Sequence, residues 1–327
     1  MAGRGPCRLN SIGFGTWAWG NEFVWGYDSK TDDGRLAATF RQALSSGLNL
    51  IDTADSYGTG RLNGRSESLL GGFIDALPAS RRSQLVVATK LAPFPWRLGR
   101  RGFHRAFDAS QKRLGGHLKR VQLHWSTARY APWQEAALLD GLADLVQAQQ
   151  VDELGVSNVG PRRLRWMQAR LMERGVKLRS VQIQWSLLSP GLAQAQEVLD
   201  LAQSLDIEVL AYSPLAFGVL SCAPAEAPRP STWVRQRLFR RLLPESLEIR
   251  QLLLAIATER GASMVQVALN WCRATWTTPI PGIRTPSQAM DVAAALTWQL
   301  SESECSVLNQ ARERCIARMP SNPFQSR

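Results

Sequence analysis

Apolar positions along this chain alternate between two patterns. Short continuous runs occupy 48–54, 84–91, 120–126, 152–158, 180–186, 207–214 and 277–282, with a shorter one near 11–16. Such strand-length runs, rich in Val, Ile and Leu, predict parallel strands buried on both faces. Between them, apolar residues recur every three or four positions at 32–46, 66–77, 104–118, 132–149, 161–174, 191–205 and 287–296. That spacing predicts helices. Boundary residues agree: acids open 32–46 and Gly47 follows it, while Pro132 and Pro161 stand where a helix begins and a missing N–H costs nothing.

Eight strands alternating with helices, without a visible linker, predict an α/β fold: one (β/α)8 TIM barrel forming a single domain over 1–327. Two additions are expected. The segment 216–244, rich in Pro, Ala and Arg, reads as a long loop over the barrel mouth after the seventh strand, and a further helix lies near 301–318. No internal repeat is visible. The 45% hydrophobic and 20% charged content is that of a globular chain and argues against disorder. No apolar run approaches the ~20 residues of a membrane span, and the first residues contain no signal-like apolar region. A cytoplasmic protein without membrane contact is expected. The cysteines at 7, 222, 272, 305 and 315 are odd in number and include no C-x-x-C pair. They predict packing or surface thiols rather than disulfides or a metal site.

The net charge of +12 has two concentrations, at Arg97, Arg100, Arg101 and Arg105 and at Arg235, Arg237, Arg240 and Arg241. No nucleic-acid-binding motif accompanies them, so solvated helix faces and an anionic cofactor explain them better than nucleic acid. The segment Gly13-Phe14-Gly15-Thr16-Trp17-Ala18 fits the G-x-G-x-x-G/A dinucleotide pattern. That pattern must open a helix, and Trp17, Trp19, Gly20, Asn21 and Trp25 do so poorly, which disfavours a Rossmann fold.

In a (β/α)8 barrel, chemistry gathers at the C-terminal strand ends. The polar residues there are Asp52 (then Asp55, Ser56 and Tyr57), Lys90, His124, Ser157 with Asn158, Gln182, and Tyr212 with Ser213. Taken singly, each has an ordinary structural reading; a strand His is more often a satisfied core residue than a catalyst. Together, four of them fit carbonyl reduction. Tyr57 supplies a proton donor, although an unperturbed phenol has a pKa of about 10. An ammonium at Lys90 would lower that value, and a buried ammonium requires a carboxylate such as Asp52. A neutral imidazole at His124 would orient the carbonyl.

The stretch Asp52-Thr53-Ala54-Asp55-Ser56-Tyr57-Gly58, followed by Ser66-Glu67, Leu70-Gly71, Thr89-Lys90 and His124, resembles the aldo-keto reductases. The resemblance runs from about Gly13 to about Trp298 and is strongest to a cyanobacterial and plastid branch. It implies a catalytic tetrad of Asp52, Tyr57, Lys90 and His124. It also implies NADP(H), with Ser157, Asn158 and Gln182 on the nicotinamide amide, Tyr212 stacked on its ring, and Ser213 and Leu215 at the diphosphate. Arg284, after Pro279-Ile280-Pro281-Gly282, would hold the 2′-phosphate, and Gln288 would face the adenosine. Two departures stand out: Val292 replaces a common Asn, and basic residues usual near Ser221-Cys222 are missing.

Trp17, Trp25, Trp96 and Trp125, with Trp233 beside them, are placed to give an aromatic mouth for an apolar or aromatic small-molecule carbonyl substrate, whereas Trp166, Trp271 and Trp298 read as packing. Arg97 and Arg100 are the available cations for a charged substrate. The function expected is an NADPH-dependent reductase acting as a monomer. A second class is a cofactor-sensing module with little turnover, a role some family members play; the basic insert near 235–241 would then dock an acidic partner.

Overall fold

The computed structural model describes residues 11–60, 63–226 and 228–326. Eight parallel strands follow one another around a single sheet: β1 Gly13–Gly15, β2 Leu50–Asp52, β3 Val86–Leu91, β4 Arg120–Leu123, β5 Glu153–Ser157, β6 Leu178–Gln184, β7 Glu208–Tyr212 and β8 Thr277–Ile280. A bridge between Gly15 and Gly282, with Gly15 N donating to Pro281 O at 2.9 Å, closes β1 onto the end of β8. The expected (β/α)8 barrel is therefore present.

The apolar positions within these runs have a simple cause. Side chains alternate inward and outward along a strand. The outward set, including Val87, Leu91, Val121, Leu123, Val156, Val181, Ile183 and Val209, is buried in one core with Phe103, Phe107, Leu138 and Leu142 of the surrounding helices. The inward set is largely polar. At the N-terminal end, Arg120 is 2% exposed and meets Glu153 at 2.6 Å and Glu208 at 3.0 Å. Above it, Gln122 and Ser180 crowd Gly155, where an added Cβ would lie 2.5 Å from Ser180 Oγ. These layers fill the barrel and leave the C-terminal end for a site.

Helices Ser29–Ser45, Arg65–Asp75, Gly99–Arg113, Pro132–Gln147, Pro161–Glu173, Leu192–Ser204, Met264–Ala274 and Pro286–Ala294 follow the successive strands outside the barrel. The first begins earlier than its apolar pattern, because Asp28 caps it by accepting from Lys30 N at 3.0 Å. Asp140 joins three of them, bonded at 2.8 Å to both Arg100 and Arg170. Arg100 is thus a helix tie rather than a substrate ligand.

The insert departs from expectation. Most of 216–244 is not a loop: a kinked short turn over Ala216–Ser221 leads, farther on, into the helix Trp233–Glu245. That helix buries only Phe239 and Leu242, so its sequence lacks a full apolar face. One further helix, Leu247–Arg260, together with Met264–Ala274 named above, occupies a stretch that the apolar pattern leaves unassigned. The helix Glu302–Arg314 follows with a capping box at Ser301 and Glu304. Among the described residues no single helix is long and apolar enough to cross a membrane, no metal-ligating cluster occurs, and Cys222, Cys272, Cys305 and Cys315 are free. Cys7 lies outside the described residues.

Candidate active site

The C-terminal end of the barrel opens into a cleft of about 1350 Å³, and Asp52, Tyr57, Lys90 and His124 all line it. Their placement follows from the strands. Asp52 ends β2, and Lys90, on β3, is 1% exposed. Its ammonium donates to Asp52 Oδ2 at 2.6 Å and to Thr53 O at 2.7 Å. The other Asp52 oxygen accepts from Gln182 Nε2 at 2.8 Å and Gln122 Nε2 at 3.3 Å. Burial pulls the Lys90 pKa below its usual value, with Asp52 opposing it.

The loop after β2 brings Tyr57 over this pair. Tyr57 N donates to Ala54 O at 3.1 Å, and Gly64 N donates to Tyr57 O at 3.0 Å. The Lys90 Nζ lies 4.8 Å from the Tyr57 ring centroid. Burial, then Asp52 and Asp55, push the Tyr57 phenol well above the ordinary range, opposite in direction to the lowering expected from a neighbouring ammonium. Lys90 gives its hydrogen bonds to Asp52 and Thr53.

His124 follows β4 with its ring 5.9 Å from that of Tyr57 and its Nδ1 3.3 Å from Ser56 Oγ. Burial, then Lys90 and Arg97, press its pKa well below the usual value, a direction that favours the neutral imidazole. Asp55, which is buried, pairs with Arg97 and accepts from Ala92 N at 3.2 Å. Desolvation outweighs Arg97 and raises its pKa from 3.8 to about 6. Arg97 is thereby committed to Asp55, and it does not line the cleft.

Ser157, Asn158, Gln182, Tyr212, Ser213, Leu215, Arg284 and Gln288 also line the cleft. Asn158 adopts a left-handed φ of 58°. Its Nδ2 donates to His124 O at 3.0 Å and Ser157 Oγ at 3.2 Å, and its Oδ1 accepts from Tyr212 OH at 2.8 Å and Asn322 Nδ2 at 3.0 Å. Both amide protons and both lone pairs are thus used. At the far end, Arg284 Nη2 lies 3.6 Å from Asp32, and Gln288 Oε1 accepts from Arg284 N at 2.8 Å. Val292 lines this end too, beside Asp291, which accepts from Ser263 Oγ and Gln266 Nε2.

Trp17, Trp25 and Trp125 line the mouth, but Trp96 does not. Trp96 is 70% exposed and stacks on the outside of Phe94, which takes the lining position. Trp233 is exposed against Phe23. The largest omission from the sequence reading is the segment 320–326. It crosses the mouth, where Phe324 stacks on Trp125 at 4.2 Å, Ser326 N donates to Asn158 O at 3.0 Å, and Asn322 Nδ2 donates to Tyr212 OH at 3.0 Å. The prolines at 320 and 323 signal extended backbone, but nothing in their pattern points to the barrel mouth.

The model of the aldo/keto reductase family matches residues 11–313. A chloroplastic pyridoxal reductase of Arabidopsis thaliana is 45% identical over 326 residues, covering 99% of this chain and 88% of that protein. L-glyceraldehyde 3-phosphate reductase of Escherichia coli is 28% identical, covering 82% and 78%. Among solved structures, a glycerol dehydrogenase from Gluconobacter oxydans superposes with a TM-score of 0.76 at 24% identity, covering 95% and 94%. An aldo-keto reductase from Klebsiella pneumoniae in complex with NADPH gives 0.71 at 24%, covering 96% and 93%. With a family match over most of the chain and this arrangement of strand-end residues, the chain belongs to the aldo/keto reductase family of oxidoreductases.

Proposed function

We propose that this chain is an NADPH-dependent reductase of small aromatic aldehydes, pyridoxal among them, with Tyr57 as proton donor. The observation that carries the reading is the buried Lys90–Asp52 pair against the Tyr57 ring, with His124 beside it, at the floor of an aromatic-walled cleft. The pyridoxal reductase of Arabidopsis supports the substrate class, and the NADPH complex of the Klebsiella protein supports the cofactor.

The cleft suits a dinucleotide in size and chemistry. It is long, it has guanidinium groups at one end, and Gly15 keeps its floor low, since a Cβ there would lie 3.3 Å from Ile280 O. Arg284 would hold the 2′-phosphate, with Gln288 at the adenosine. Tyr212, Ser157, Asn158 and Gln182 would hold the nicotinamide, and Ser213 and Leu215 the diphosphate. Asn158 would have to exchange a present partner for the nicotinamide amide. When bound, NADPH supplies the hydride. His124 would donate a hydrogen bond to the carbonyl oxygen and set its orientation, its other nitrogen accepting from Ser56. Tyr57 would deliver its proton to that oxygen, and the phenolate charge would form beside the Lys90 ammonium, where it is stabilised. Trp17, Trp25 and Trp125 would hold the aromatic body of the substrate and exclude water.

NADPH oxidation in the presence of pyridoxal and 4-nitrobenzaldehyde tests this, with Tyr57→Phe as control. Loss of a positioned proton donor should lower turnover about 10²–10⁴-fold while NADPH still binds. Full activity in the variant would sink the mechanism. Binding of NADPH without turnover by the parent would point to the cofactor-sensing module.

A further inference from the structure

Asp55 and Arg97 do not line the cleft, yet together they join two of the loops that do. Asp55 belongs to the loop after β2 that carries Tyr57, and its backbone N donates to Lys90 O at 3.1 Å. Arg97 belongs to the loop after β3. That loop turns tightly, with Phe94 N donating to Ala92 O and Arg97 N to Phe94 O, both at 2.9 Å. The helix Gly99–Arg113 closes on its far end. A Cβ on Gly102 would lie 2.5 Å from the Arg97 carbonyl carbon, so the close approach requires glycine there.

From this fixed backbone the Arg97 guanidinium makes three contacts. It pairs with the Asp55 carboxylate, donates to Ala92 O at 2.6 Å, and lies 4.9 Å from the Phe94 ring centroid. The Asp55 carboxylate is fully buried and also accepts from Ala92 N, at 3.2 and 3.3 Å to its two oxygens. Phe94 lines the cleft, edge-on to Trp125 at 6.0 Å. Arg97 thus ties the loop that carries Tyr57 to the aromatic wall.

Stability does not account for this pair. Burial penalises the ionised carboxylate more than Arg97 favours it, which lifts the carboxyl to about 6. A buried ion pair is weak evidence for stability, and its role is read from what it joins. Both partners also act on the tetrad: Asp55 on Tyr57 and Lys90, and Arg97 on His124. Glu67, on the helix Arg65–Asp75, is the other acid acting on Asp55, and it is held by Arg113 and Thr89.

We propose that Arg97, through its pairing with Asp55, is a positioning residue for the reduction. It fixes the Tyr57 loop over Lys90 and the Phe94 wall beside the substrate, and it touches neither substrate nor cofactor. The proposal rests on the reductase reading above.

The test is single-turnover oxidation of NADPH by pyridoxal, with NADPH affinity measured separately by quenching of tryptophan fluorescence. It compares the parent, Arg97→Met, Arg97→Lys, Asp55→Asn and the double variant Arg97→Met/Asp55→Asn, each checked for folding by circular dichroism. Misplacing a reacting group by about 1 Å costs on the order of a hundredfold in rate. Arg97→Met should slow the turnover roughly ten- to hundredfold and leave NADPH affinity within about twofold of the parent. Arg97→Lys, which keeps the charge but not the planar fork, should recover part of that loss. Asp55→Asn should slow the reaction comparably, and the double variant no further, because the two residues act as one unit. The carboxyl is protonated below about pH 6, so the parent rate should fall through an acid limb there that Asp55→Asn lacks. If Arg97→Met does not fold, Arg97→Lys and Asp55→Asn carry the test. A parental rate in the folded Arg97 and Asp55 variants, additive losses in the double variant, or a loss of NADPH affinity matching the loss of rate would overturn the proposal. A parent that oxidises no NADPH with any aldehyde would refute the reductase reading itself, and the positioning role with it.

Discussion

Replacing Asp52 by Asn removes one charge and almost no volume. The Lys90 ammonium, 1% exposed, then keeps one anchored acceptor, Thr53 O at 2.7 Å, and meets either a neutral carbonyl or an opposing N–H group where the carboxylate stood. Breaking a buried pair by removing one partner costs about 3–5 kcal/mol. That is a large part of the roughly 5–15 kcal/mol that holds a domain folded. The pH dependence has a definite sign. Burial already depresses Lys90 below 10.5, and losing Asp52 depresses it further. Between the folded value and 10.5 the unfolded chain binds more protons, so the variant should regain stability as pH rises toward about 10. Urea unfolding followed by tryptophan fluorescence, at neutral pH and near pH 10, reads both effects. A variant within about 1 kcal/mol of the parent at neutral pH, with no alkaline recovery, would mean that Lys90 is uncharged in the native barrel. The reasoning that places an ammonium beneath Tyr57 would then be refuted.

Two further outcomes follow from the geometry. Raising Asp55 from 3.8 to about 6 corresponds to roughly 3 kcal/mol, lost as pH rises through that interval because the folded state binds the extra proton. Urea unfolding across the same interval should show this loss in the parent and not in Asp55→Asn; equal slopes would discount the buried carboxylate. Asn322→Ala removes one of two donors on Asn158 Oδ1. If the nicotinamide amide competes for that oxygen, NADPH should bind up to about tenfold more tightly in the variant, and weaker binding in a titration would show Asn322 to be a support instead of a competitor.

The barrel was legible because each strand carries an outward set of apolar residues that must meet the helices, as Val87 and Leu91 do in 84–91 and Val181 and Ile183 do in 180–186. The meeting of Asp52, Lys90 and His124 in one cleft was legible because strand order alone brings them to one end of the barrel. What escaped had no such constraint. The helix Trp233–Glu245 is solvated on most sides, and Leu247–Arg260 carries exposed Leu247 and Leu254 beside its buried Ile249 and Leu253, which blurs the face that periodicity would reveal. Residue identity gives neighbours but not their orientation: the hydrogen bonds of Lys90 go to Asp52 and Thr53. Trp96 and Phe94 are two residues apart, and sequence could not decide which of them turns inward.

The segment across the mouth also decides how this protein can be handled. Ser326 is held at the site by its backbone and side chain, with Gly160 N donating to its Oγ at 3.2 Å and Gln194 Nε2 to its carbonyl at 2.8 Å. Ser11 stands at the opposite end of the barrel, bonded to Thr278. Truncation from Pro320 onward would strip Phe324 from Trp125 and Asn322 from Tyr212, whereas a change at Ser11 acts a barrel's length away. Kinetic constants from a chain shortened there would describe a differently furnished mouth.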